Sequence, residues 1–157
     1  HTGSVWPHDN AIILAGLRRY GFVDSVRTLG SALTEAMLGF SDHRVPELFS
    51  GDARGDRLFP TPYPVASRPQ AWSAASLPWL LVSMAGVTAE DSNTLHVVRP
   101  ALPSGLDWLR IRNIRFGTST VDLMLRRVDD HVGVEVERQR GPGSVVLSAR
   151  WPIAPLR

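Results

Sequence analysis

The chain has 157 residues, 43% of them apolar, enough for one domain with a sizeable core. Its 17 basic residues are all arginine and 15 acidic residues leave a formal charge of only +2; the arginines are interleaved with Asp and Glu, which argues against a nucleic-acid partner. The absence of Cys excludes disulfides and thiolate metal sites, and the most apolar run, Leu77 to Val87, is far below the roughly 20 residues a membrane span needs.

His1-Thr2-Gly3-Ser4 opens the chain with neither an initiator Met nor a signal peptide, and chemically loaded residues follow at once. The expectation is a cytoplasmic protein whose front is missing. From Pro7 to about Tyr20, Ile12, Ile13, Leu14, Leu17 and Tyr20 recur at helical spacing behind a Pro in a first-turn position, and Gly21 is a natural stop. A second helical run, from Phe22 to about Phe40, carries Val23, Val26, Leu29, Leu33, Met37 and Leu38, so the two helices read as a hairpin on one Gly turn. Ser41 to Arg68 holds Pro46, Pro60, Pro62 and Pro64 with no sustained period. It reads as a long ordered loop, because Glu47, Phe49, Phe59 and Tyr63 argue against disorder. Within it, Asp52-Ala53-Arg54-Gly55-Asp56-Arg57 reads as a solvated turn with local charge pairs. A third helix runs from about Pro69 to Met84 or Ala85 and ends at Gly86.

After Asp91 the period changes to two, in Leu95–Val98, Trp108–Phe116, Val121–Arg126, His131–Arg138 and Val145–Leu147, with a turn at Gly141-Pro142-Gly143. These segments predict an antiparallel meander with one polar face. The expected fold class is α+β: helices over residues 1–91, then an antiparallel β domain over 92–157, with Pro100 and Pro103 marking the boundary between the halves.

Three clusters carry the chemistry: Gly3-Ser4-Val5-Trp6-Pro7-His8-Asp9-Asn10, Arg44-Val45-Pro46-Glu47-Leu48-Phe49-Ser50-Gly51-Asp52 and Arg68-Pro69-Gln70-Ala71-Trp72-Ser73-Ala74-Ala75. Tryptophans, amides and carboxylates suit a sugar, whose apolar ring faces stack on indole and whose hydroxyls take bidentate hydrogen bonds. Glu47, on a loop between Pro46 and Phe49, is the foremost candidate for catalysis, because partial burial there can shape its proton affinity; a solvated glutamate or a helix cap is the plainer account. Trp6 and Trp72 equally suit core packing. His8 and Asp9 suggest a metal or acid–base pair, but adjacent side chains on a helix are not expected to face each other, and Asp9 also suits the positive end of a helix. Metal binding is therefore not expected. No nucleophile elbow surrounds Ser73, and no phosphate loop or dinucleotide fingerprint occurs, so no cofactor is expected.

Taken in order and spacing, Gly3-Ser4-Val5-Trp6-Pro7, Pro46-Glu47-Leu48-Phe49-Ser50-Gly51 and Pro69-Gln70-Ala71-Trp72-Ser73 resemble the C-terminal part of amylo-alpha-1,6-glucosidase or glycogen-debranching-enzyme-like glycoside hydrolases. The resemblance covers most of the chain. It implies the last helical hairpins of an (α/α)6 toroid, followed by the all-β tail of such proteins over Leu95 to Arg157. It further implies an inverting hydrolase of alpha-glucan or a related oligosaccharide, with Glu47 as general base and a general acid on an earlier hairpin, outside this chain. Trp6 and Trp72 would wall the sugar subsite, and His8, Asp9 and Gln70 would take hydroxyls. The chain differs from the family pattern at Ala66-Ser67-Arg68-Pro69, where Gly-Cys commonly precedes Gln-Ala-Trp, and at His8-Asp9-Asn10. The expected partners are the glycan and the remainder of the toroid, with neither nucleic acid nor membrane. The alternative is a noncatalytic glycan-binding or interaction module.

Overall fold

A computed structural model describes residues 3–53, 55, 59–89 and 91–149. Among them are three helices, α1 (Pro7–Arg19), α2 (Val23–Leu38) and α3 (Ala71–Ala85), and eight strands: β1 (Ser4–Val5), β2 (Phe49–Ser50), β3 (Val87–Ala89), β4 (Thr94–Val98), β5 (Trp108–Phe116), β6 (Ser119–Val128), β7 (His131–Arg140) and β8 (Ser144–Ser148). The α+β class holds in this form, with three small sheets ordered β1-β2, β3-β4-β8 and β5-β6-β7. Arg54, Asp56 and Arg57 of the expected solvated turn, and residues 150–157 of the expected β tail, lie outside the described residues.

The helix boundaries follow local chemistry. Pro7 occupies the first turn of α1, where its missing N–H costs nothing, and the backbone and side-chain nitrogens of Asn10 both donate to the Trp6 carbonyl, at 3.1 and 2.9 Å. Gly21, at φ 83°, turns the chain into α2. The third helix starts two residues later than expected. Pro69 follows a cis peptide bond, and Gln70 is the cap, its side-chain oxygen accepting from the Ala71 N–H at 3.1 Å. Gly86 ends α3 in the left-handed conformation, φ 70°, as a C-terminal stop requires.

Which face of α1 turns inward differs from the apolar stripe read in the sequence. Ala11, Leu14 and Arg18 are buried, at a spacing of three and four, whereas Ile12 and Ile13 are 63% and 53% exposed. Small residues let the helices approach: a Cβ on Gly30 of α2 would lie 2.2 Å from the Met84 sulfur of α3. Leu14, Val26, Leu33, Leu80 and Met84 fill this core. α3 is inverted in the same sense, since Ser73 and Ser76 are buried while Trp72 and Trp79 are exposed. Burying a serine requires a partner, and Ser76 finds the Ser73 carbonyl at 2.6 Å.

The β half contains the expected antiparallel meander, β5-β6-β7, with Val121, Leu123 and Leu125 of its middle strand in a second core beside Leu95, Val97 and Phe116. It departs from an all-antiparallel domain in one pairing: β8 runs parallel to β4, Thr94 opposite Ser144 through Val98 opposite Ser148. The meander is inserted between the two partners, and the Ser144 N–H meets the Asn93 carbonyl at 2.8 Å as the chain returns. β3 leaves Gly86 directly and pairs antiparallel with β4, so this sheet begins ahead of residue 92 and is continuous with α3. None of the described helices is long and apolar enough to cross a membrane.

Candidate functional site

α1 and α3 begin at one end of the helical layer. The His8 imidazole stacks on the Trp72 indole, centroids 4.8 Å apart at 19°, and Trp6 meets His8 edge-on at 5.7 Å and 86°. Three residues from two clusters thus form one aromatic group, of a kind that contributes beyond its buried area. One face of Trp72 is covered by His8, and the residue remains 49% exposed. His8 Nε2 lies 3.3 Å from Asp9 Oδ1, so these neighbours do meet, contrary to the expectation for adjacent helical residues; they stand in the first turn of α1.

Glu47 is brought to the same end by a clamp that has no period for a sequence pattern to reveal. β1, just before Trp6, pairs antiparallel with β2, just after Glu47, through Ser4 opposite Ser50 and Val5 opposite Phe49, and the Gly51 N–H donates to the Gly3 carbonyl at 2.9 Å. A Cβ on Gly51 would lie 2.1 Å from that carbonyl oxygen, which is why glycine stands there. On its other side Glu47 is tied to the start of α3. Its N–H donates to the Ser67 carbonyl at 3.1 Å, the Ser67 N–H donates to Glu47 Oε2 at 3.0 Å, and the Ser73 hydroxyl donates to the Glu47 carbonyl at 3.4 Å. Gln70 Nε2 stands 3.5 Å from Glu47 Oε1. Glu47 therefore touches residues on both sides of Trp72 in the chain, and all six candidate residues, Trp6, His8, Asp9, Glu47, Gln70 and Trp72, belong to the segments that meet where α1 and α3 start.

The residues that set this geometry include several absent from the candidate list. Ser67 holds the carboxylate through its backbone, and Ser73 holds the loop by its hydroxyl. Arg68 pairs with Asp42, with its guanidinium 5.5 Å from the Phe40 ring centre, which joins the two ends of the long loop. The signal available for them was composition alone: serines and an ion pair in a proline-rich loop are common and carry no spacing rule. Gln70 also has a more local role than a sugar ligand, because its oxygen caps α3 and its NH2 faces Glu47; one N–H and one lone pair are left for a ligand. Glu47, half-buried, likewise keeps acceptor capacity beyond the Ser67 and Gln70 contacts.

A cavity of about 440 Å³ borders the β1–β2 clamp, lined by Val5, Asn10, Leu33, Phe49, Asp52 and Phe59 among others, and by none of the six candidate residues. This recess is mostly apolar, whereas in the aromatic group Trp72 is exposed and Trp6 and His8 are half-buried. Compared with known protein families and with curated proteins, the chain matches none.

Proposed function

We propose that the chain is the C-terminal part of an inverting glycoside hydrolase acting on alpha-glucan, in which Glu47 is the general base. The single observation that supports this is a half-buried glutamate bound to Gln70 and Ser73, on either side of Trp72 in the chain, at the helix start where Trp72 stacks on His8 and Trp6 meets His8 edge-on. Glu47 would take a proton from the attacking water; the Ser67 N–H and Gln70 would fix its rotamer, so that one lone pair is aimed rather than free to rotate. Trp72 would offer its uncovered face to a pyranose, with His8 and Trp6 holding the indole from behind, and Asp9 would accept from a sugar hydroxyl at the rim. The acid that protonates the leaving oxygen would come from an earlier hairpin of the toroid, roughly 6.5–9.5 Å from Glu47, the separation that leaves room for a water. The exposed Ile12, Ile13 and Trp79 would be covered by neighbouring helices of that ring.

The test is the stereochemistry of the product. The full-length enzyme, given a branched alpha-glucan in an NMR tube, should first release the β-anomer of glucose, which then mutarotates; initial release of the α-anomer would overturn the inverting assignment. A glycan-binding module without hydrolysis is the second reading, favoured by the engagement of both Glu47 carboxylate oxygens by protein groups. It predicts saturable binding of the same glucan with no release of sugar.

A further inference from the structure

The recess beside the β1–β2 clamp is built from segments that the sequence keeps apart. One wall is a face of α2, where Leu29, Ala32, Leu33 and Ala36 fall at i, i+3, i+4 and i+7. The opposite side is made by Val5 of β1 and Phe49 of β2, and Phe59 and Pro60 of the long loop complete it. Packing fixes these walls. The Phe49 ring lies 5.9 Å from that of Phe40, and a Cβ on Gly39, at the end of α2, would lie 2.5 Å from the Phe59 ring, so glycine there lets that ring rest on the helix end. The Ser50 N–H donates to the Thr61 carbonyl at 2.9 Å, which ties β2 to the loop that carries Phe59. At about 440 Å³ the recess has the size of a small-molecule site.

The polar part of its lining carries negative charge and acceptors. Glu35 and Asp52 contribute carboxylates, and Asn10 contributes an amide whose nitrogen already donates to the Trp6 carbonyl, leaving its oxygen. No Arg, Lys or His is among the described residues of the lining. Asp52 is exposed, so its carboxylate stands at the open side, whereas Leu33 and Phe49 are buried behind it. Its backbone is held there, the Asp52 N–H donating to Ser50 Oγ at 3.2 Å, and its carboxylate has no ion-pair partner among the described residues. The faces of Phe49 and Phe59 add the negative side of a ring quadrupole, which also favours a cation.

We propose that this recess binds a small organic monocation free in solution, an amine on a compact apolar body. The apolar body lies against Leu33, Ala36, Phe49 and Phe59, and the ammonium faces Asp52 at the opening. Apolar burial supplies most of the affinity and the carboxylates select the sign of the charge. An anion of the same shape meets like charge, and a neutral guest leaves Asp52 to water. Nothing in this inference depends on the glycosidase proposal, since none of the six candidate residues lines the recess.

The test uses three rigid probes of one shape, 1-aminoadamantane, 1-adamantanol and adamantane-1-carboxylate, titrated into the isotopically labelled chain and followed by amide NMR. The expected result is saturable shifts at Ala32, Ala36, Gly51 and Ala53, with the amine binding about threefold more tightly than the alcohol, the size of an exposed ion pair, and the carboxylate binding most weakly. That preference should shrink as salt is raised, because Asp52 is exposed. Asp52→Asn should remove most of the preference and leave the affinity for the alcohol unchanged. Ala32→Leu, which places a larger side chain in the recess, should weaken all three probes; Asp52→Asn, a change at an exposed residue, decides the matter even if Ala32→Leu does not fold. Equal affinities of amine and alcohol would overturn the cation site, as would a preference that Asp52→Asn retains. Absence of saturable shifts, or shifts confined to residues outside the lining, would overturn the recess as a binding site.

Discussion

The two ends of the α1–α3 pair handle polarity in opposite ways. Where the helices start, Glu47, Gln70 and Ser73 have protein partners on neighbouring segments and Asn10 has one in the Trp6 carbonyl at the head of its own helix. Where they end, Arg18 is more deeply buried than any of the candidate site residues and has no hydrogen-bond partner among the described residues. The first end is organised by directional bonds and leaves acceptor capacity facing solvent; the second relies on close backbone approach around Gly86 and a charge that lacks its complement. The lesson is that satisfied polarity and exposed chemistry can lie together, while a buried charge can stand unpartnered where backbone segments approach closely.

Substitutions at each end should reveal this contrast. The largest stability effect is expected at the seam, where Gly86→Ala requires both a left-handed backbone and room already taken by the Val98 carbonyl and Arg18. A loss of about 2–5 kcal/mol in denaturant melts is predicted. At the opposite end Gly51→Ala meets only the Gly3 carbonyl, and because two-residue strands can shift, about 1–3 kcal/mol is expected. Its distinguishing effect is local: Trp6 fluorescence and hydrogen exchange of Gly51 should change while the meander stays protected. An equal loss of protection throughout β5–β7 would contradict the separation of the two ends.

Gln70→Ala removes the cap of α3 and the amide beside Glu47, for about 0.5–2 kcal/mol, and Gln70→Glu should restore the cap without restoring the donor to Glu47. The smallest effect lies outside both ends. The Asn93 N–H, and then the Thr94 N–H, hold the Asp91 carboxyl below its ordinary pKa at the entry to β4. A depressed carboxyl contributes stability that is present above the unfolded value near 4 and lost as pH falls through the folded value. The melting-temperature gap between the natural chain and Asp91→Asn should therefore shrink on acidification below about pH 4, and a constant gap would show that the turn does not depend on the charge.

Much of the fold is legible in the sequence because its signals are local. Gly21 and Gly86 stop helices by their freedom at positive φ, Pro7 opens α1, and alternation gives β5, β6 and β7 to within a few residues. What local pattern does not carry is pairing between distant segments. β1 and β2 are two residues each, too short for any period, yet they bring Glu47 to Trp6. The parallel match of β4 with β8 joins segments separated by the whole meander, and alternation alone is blind to strand direction. Apolarity alone does not reveal the inward face of α1, because Ile12 and Ile13 outweigh Ala11 and Arg18, whereas the position of α3 decides which side is buried. At the site, residue types pointed to Trp6, His8, Asp9, Glu47, Gln70 and Trp72, but the supporting Ser67, Ser73 and Asp42–Arg68 contacts belong to the long loop, whose conformation no local pattern specifies.

The proposal that Glu47 is a base beside a Trp72 platform is tested most directly by steady-state kinetics of Glu47→Gln and Trp72→Ala in a protein that contains the proposed toroid, on a soluble alpha-glucan oligosaccharide. Glu47→Gln is nearly isosteric and keeps an acceptor for the Ser67 N–H, so on the proposed mechanism kcat should fall by about 10²–10⁴ with KM close to that of the unsubstituted protein, while Trp72→Ala should raise KM. Near-normal kcat in Glu47→Gln would contradict the assignment.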